Sequence, residues 1–108
     1  MTQDNSRLAD LELNLNGNWS NEKMAYTFLD TEGVGQLGDM LIGSPDFKTM
    51  AQCKYQVFIK DSNPFLKIIY NDKSDDQTKE YQIQDIMVSA NGRSLTLIDY
   101  FNNASTYH

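Results

Sequence analysis

The 108 residues include one cysteine, one histidine, one tryptophan and two prolines. Cys53 has no second cysteine to join, so no intramolecular disulfide exists and no pair of thiolates is available for zinc. It reads as a buried, inert thiol. His108 is the sole histidine. A nucleophile–histidine arrangement would have to dock that last residue, and a site built from several histidines is excluded. No catalytic residue, metal or cofactor is expected, and the chain does not read as an enzyme.

Positive charge is also scarce. Nine Lys and Arg face fifteen Asp and Glu, a net charge of −6, which repels a phosphate backbone and excludes nucleic-acid binding by electrostatic steering. The imbalance suits solubility or a basic protein partner. No apolar run approaches the roughly eighteen residues of a membrane span. The first fifteen residues are polar with scattered leucines, which is not the pattern of a signal peptide. The chain therefore reads as cytoplasmic, or as periplasmic or cell-surface if an export signal has been removed.

What remains is the composition of a folded domain, 40% hydrophobic and 11% aromatic, and the length fits one domain over 1–108. Turn signals recur at short intervals: DTEGVG (30–35), DSNP (61–64), NDKSDDQT (71–78) and SANGRS (89–94). They divide the chain into strands at roughly 18–29, 34–42, 54–60, 65–70, 79–88 and 94–101, where apolar residues alternate with period two. Asn91-Gly92 is the strongest hairpin signal. The stretch SPDFKTMAQ (44–52) predicts a short helix near 45–52, with Ser44 as N-cap, Pro45 in the first turn and Phe47, Met50 and Ala51 on one face. In the N-terminal segment, 1–12 and just beyond, Leu8, Leu11 and Leu15 fit a helix while Leu11, Leu13 and Leu15 fit a strand. Residues 102–108 read as a tail. The expected fold is all-β, a small antiparallel meander barrel or half-open barrel of about six to eight strands with that one helix.

Leu15-Asn16-Gly17-Asn18-Trp19 resembles the G-x-W opening of the lipocalin and fatty-acid-binding (calycin) barrels. YTFLDTEGVGQL (26–37) and the 65–97 stretch, with its Tyr-x-Ile and Leu-Thr-Leu strands, are similar to the hairpin and closing strands of small bacterial lipocalin-like domains. The resemblance covers about residues 13–101. It implies structural roles for Gly17, which lets the chain enter the first strand close to neighbouring backbone, and Trp19, which plugs the barrel base with its indole N–H on a rim carbonyl. Lipocalins also cap this Trp with an arginine near the end of the last strand. The arginines here are Arg7 and Arg93, and Arg93 opens that strand, so the cap is not carried over.

Asp85 and Asp99 stand in phase with apolar residues, Tyr81, Ile83 and Met87 for one and Leu95, Leu97 and Phe101 for the other. Each reads either as a buried carboxylate with a functional role or as a strand-end residue reaching water. Asp72, Asp75 and Asp76 lack the spacing of a calcium loop. In PFLKIIY, Phe65 and Ile69 face one side of a strand and Leu66, Ile68 and Tyr70 the other, so the strand is apolar on both faces. Either the helix or the N-terminal segment covers the second face, or that face meets a partner.

The expected function is a non-enzymatic, lipocalin-like binding domain for a small apolar ligand at the open end, lined by Tyr26, Phe28, Phe47, Met50, Tyr55, Phe58 and Tyr81. The alternative is a protein-interaction domain, such as an acidic inhibitor, an immunity-type protein or an assembly subunit, homodimer included. It would use Phe65, Leu66, Ile68, Tyr70, Asp72, Asp75 and Asp76.

Overall fold

In the computed structural model, which describes residues 2–70 and 78–108, one helix precedes eight strands. Helix α1 spans Thr2–Leu15. The strands are β1 (Gly17–Ser20), β2 (Ala25–Thr31), β3 (Gly38–Gly43), β4 (Met50–Lys60), β5 (Asn63–Tyr70), β6 (Thr78–Ser89), β7 (Gly92–Ile98) and β8 (Ala104–Tyr107). Each pairs antiparallel with the next, so the sheet order is the chain order. The two outer strands meet where Ser20 and His108 exchange backbone hydrogen bonds of 2.9 and 2.8 Å, leaving the barrel nearly closed.

Period-two alternation decides what lies inside. The register sets Trp19 opposite Tyr26, Phe28 opposite Met40, Met40 opposite Cys53, Tyr55 opposite Ile68, Val57 opposite Leu66 and Leu95 opposite Tyr107. These side chains, with Leu15, Ile83 and Leu97, form one buried cluster. Their burial is the main stabilising term, on the order of 2 kcal/mol for each large side chain. Among the described residues no polar or charged side chain is buried apart from the tyrosines and the tryptophan of this cluster.

The helix lies at the N-terminus and not at 45–52. Leu8 and Leu11 pack on the core and Leu15 is fully buried, while Leu13 points to water, so the helical alternative of the leucine pattern is the one realised. The 44–49 stretch is instead a tight turn. Ser44 Oγ accepts from Thr49 N at 3.1 Å, Asp46 Oδ1 accepts from Lys48 N at 3.0 Å, and Phe47 has φ +64°. Side-chain acceptors that close on nearby N–H groups compete with a helix, and a left-handed residue ends one. The hydroxyl of Ser44 and the N–H of Lys48 also hold the Asp46 carboxyl below its ordinary value.

The predicted strand 18–29 is two strands. Asn21 Oδ1 accepts from Lys23 N and Met24 N at 2.8 and 3.0 Å, turning the chain between β1 and β2. The expected tail contains β8, whose Tyr107 is 4% exposed. The β4–β5 hairpin turns through Asp61 and Ser62, both left-handed at φ +52° and +66°, as a type I′ turn requires. At Asn91-Gly92 only the glycine has positive φ.

Hairpins β1–β2, β3–β4 and β7–β8 lie at one end of the barrel, and β2–β3, β4–β5 and β6–β7 at the other. Helix α1 covers the second end. Arg7 Nη1 donates to Ser62 O at 2.7 Å, and Glu12 Oε2 accepts from Gly35 N at 2.8 Å. No helix among the described residues is long and apolar enough to cross a membrane.

Candidate functional site

The helix-covered end is built around Trp19. Its ring is fully buried and Nε1 donates to Leu15 O at 2.6 Å. The Arg93 guanidinium lies 4.0 Å from the ring centroid, with Nη2 donating to Asn18 O at 2.5 Å and Nη1 to Asn16 O at 3.3 Å. Arg93 thus caps the tryptophan although it opens β7, because the β6–β7 hairpin arrives at the end where β1 starts. Gly17 (φ +121°) leaves the room for it. A Cβ there would stand 3.1 Å from Arg93 Nη1, so the neighbour that needs the glycine is a side chain and not backbone.

The barrel interior is filled by its own side chains. Phe28 meets Tyr55 edge-on at 5.0 Å, and Tyr26 lies 5.7 Å from Phe28 and 5.0 Å from Tyr107. Of the residues expected to line a ligand cavity, Tyr26, Phe28 and Tyr55 belong to this core. Phe47 is on the exposed 44–49 turn and Met50 is a partly buried residue paired with Gly43. Phe58 is on the outer face, stacked on Phe65 at 5.6 Å. Phe47 and Met50 thus sit at the β3–β4 hairpin of the open end, and Tyr81 reaches the same end from β6.

There four tyrosines converge. Tyr107 is close enough to Tyr26, Tyr70 and Tyr81 to shift the ionisation of all three, and its Oη donates to Met24 Sδ at 3.8 Å. Burial is the first cause of the raised pKa of Tyr26, Tyr70 and Tyr81, with Tyr70 pushed to about 12. Tyr107 and Asp99 push Tyr81 further up, and the neighbouring Tyr26 and Tyr70 hydroxyls oppose them. All three therefore stay neutral hydrogen-bonding groups at physiological pH. Lys79 Nζ lies 5.7 Å from the Tyr70 ring centroid.

The rim beside Tyr81 is the β7–β8 hairpin. Asp99 Oδ1 accepts from Phe101 N and Asn103 N, both at 2.9 Å, and Asn102 N donates to Asp99 O at 3.0 Å. This clamp holds Tyr100 and Phe101 outward, 90% and 79% exposed, in edge contact at 5.6 Å. With Thr78, Lys79, Glu80 and Tyr81 the hairpin encloses a cleft of about 500 Å³. Sequence reasoning missed Tyr100 and Phe101, which fell at the end of the expected strand 94–101. The available signal was DYFNN, an Asp followed by two Asn in turn-forming spacing.

Neither singled-out carboxylate is buried. A bulge between Ile83 and Asp85 shifts the phase of β6, so that Ile86 packs on the core while Asp85 and Met87 face water. Asp99 is the clamp just described.

On β5, Leu66 and Ile68 are core residues, fully buried and out of reach of a partner; Tyr70 belongs to the tyrosine cluster. Phe65 faces outward, half-covered by Phe58 and by Lys60, whose Nζ is 5.8 Å from its ring. Lys67 covers Phe58 in the same way. The second apolar face is thus covered by neighbours in its own sheet and not by a helix. Asp72, Asp75 and Asp76 lie outside the described residues. Among those described, no group of three or more His, Cys, Asp or Glu is arranged to hold a metal ion.

No protein-family model, curated protein or solved structure matches the chain.

Proposed function

We propose that this barrel is a non-enzymatic, lipocalin-like binding domain that takes a small apolar, ring-bearing ligand at its open end. The supporting observation is the clamped β7–β8 hairpin. It holds two aromatic rings in water beside Tyr81 and a cleft of about 500 Å³, a size suited to a small molecule. The hydrogen-bonded turn already fixes the backbone that carries the rings, so a ligand that covers them orders side chains only. The ligand sits on the rim and not in the interior, since Tyr26, Phe28 and Tyr55 already fill that space.

Titration with 8-anilinonaphthalene-1-sulfonate, followed by its fluorescence and by NMR shifts, tests the reading. Saturable binding with shifts at Tyr81, Tyr100 and Phe101, weakened about tenfold by Phe101→Ser, is expected. No saturable binding, or binding untouched by Phe101→Ser in a folded variant, overturns it. The exposure of Tyr100 and Phe101 also favours a second reading, a protein partner at the same rim, because aromatic residues dominate interface hot spots. In that case the dye binds weakly and a partner protein competes with it.

A further inference from the structure

A second cleft, also about 500 Å³, lies at the helix-covered end between α1 and the β2–β3 hairpin. Leu13 and Val34 stand on its two walls, 75% and 47% exposed. Glu12 and Asp30 supply carboxylates, and Tyr55 also borders it. The walls are fixed in place. Glu12 accepts from Gly35 N on the hairpin, Asn16 Nδ2 donates to Asp30 Oδ1 at 3.0 Å, and Tyr55 Oη donates to Leu29 O at 2.5 Å.

Among the described residues no cation lines this cleft. Cations on adjoining elements are engaged elsewhere: Lys54 Nζ is 2.6 Å from Asp39 Oδ1, Arg93 lies over Trp19, and Arg7 donates to Ser62. Glu12 on α1 and Asp30 on β2 are the two carboxylates that line the cleft, and after burial both raise the pKa of the Tyr55 hydroxyl at its border. Apolar walls with uncompensated negative charge suit a side chain that combines an alkyl stem with a cationic head. The net charge of −6 would steer such a partner in.

We propose that the cleft between α1 and the β2–β3 hairpin is a docking site for a segment of a basic protein partner, presenting an arginine or lysine beside an apolar residue. The site is at the opposite end from the open-end cleft and is independent of the ligand reading. The cationic head lies toward Asp30 and Glu12, and the neighbouring apolar side chain covers Leu13 and Val34.

The test is an amide-shift NMR titration with two peptides, acetyl-Leu-Arg-Leu-Arg-Leu-amide and its counterpart with glutamate in place of arginine. The arginine peptide is expected to saturate, with shifts concentrated at residues 9–16 and 30–35, and to weaken about fivefold in Leu13→Ser, in Asp30→Asn and at high salt. Leu13 is exposed, and the amide oxygen introduced by Asp30→Asn can still accept from Asn16, so both variants keep the fold. The proposal is overturned by no saturation, equal binding of the glutamate peptide, shifts centred elsewhere, or unchanged affinity in both variants.

Discussion

Arg93 and Trp19, 74 positions apart in the chain, form a face-on contact in which the guanidinium covers the indole at 4.0 Å while its N–H groups bind the carbonyls of Asn16 and Asn18. One side chain thereby ties the start of β7 to the junction of α1 and β1. Arg93→Ala is expected to cost about 1–2 kcal/mol, from the lost cation–π contact and the carbonyls left without their donors. Arg93→Lys recovers only part, since an ammonium lacks the planar fork that reaches both carbonyls. Urea unfolding followed by Trp19 fluorescence measures both, and wild-type stability in either variant would show the contact to be incidental.

The Asp61-Ser62 turn predicts a gain. Ser62 sits at φ +66°, where an L-residue with a Cβ is disfavoured by roughly 1 kcal/mol and glycine is not. Its bond to Arg7 uses the main-chain carbonyl and survives substitution. Ser62→Gly should therefore raise the thermal midpoint, by about 0.5–1 kcal/mol in stability, as calorimetry would record; a lowered midpoint would contradict the turn assignment.

Gly43 predicts a loss. A Cβ there would meet Thr49 O at 1.8 Å, and backbone cannot yield as a side chain does. Gly43→Ala is expected to destabilise by about 2–3 kcal/mol and to speed amide exchange across 44–49. Normal exchange protection there would mean that the turn has another arrangement available.

Alkaline pH should unfold the barrel through its tyrosines. Burial raises Tyr55 and Tyr70 from 10.0 to about 12, and raises Tyr26 as well. Each phenol is harder to ionise folded than unfolded, so its contribution is complete below pH 10 and is lost as pH rises from 10 towards 12. Tyr55→Phe should lower neutral-pH stability by about 1 kcal/mol, through the lost bond to Leu29 O. Its stability should also fall less steeply above about pH 10. Denaturant midpoints from about pH 7 to 11.5 separate the two effects, and equal slopes would argue against a buried Tyr55 phenol.

The barrel was legible wherever alternation was uninterrupted: β4, β5 and β7 follow their period of two, and Leu66, Ile68, Leu95 and Leu97 face inward as it requires. The errors arose where a polar side chain redirects the backbone. Asn21 splits one apparent strand into two. Ser44 and Asp46 carry good helix-starting chemistry, but the same groups close a turn when the following residues are needed as β4. The inserted residue in β6 reversed the facing of Asp85, and nothing in the local composition marks a bulge. The expected cavity lining differs from the observed core for another reason. Aromatic content does not say whether rings line a space or fill it, so Phe28 and Tyr55 read the same in either role. The clamped pair Tyr100 and Phe101 formed the end of the expected strand, which stops at Ile98 in the structure, and there the hydrophobic pattern carries no information about exposure.

The pair of hydrogen bonds between Ser20 and His108 has a consequence for behaviour at high concentration. β1 and β8 are each four residues long, and where they meet, neither presents a bare edge to which a strand from another molecule could add. How often that seam opens sets how long an aggregation-competent form exists. His108→Pro removes the N–H that bonds to Ser20 O and is expected to shorten the colloidal lifetime of the protein, although the residue lines neither cleft.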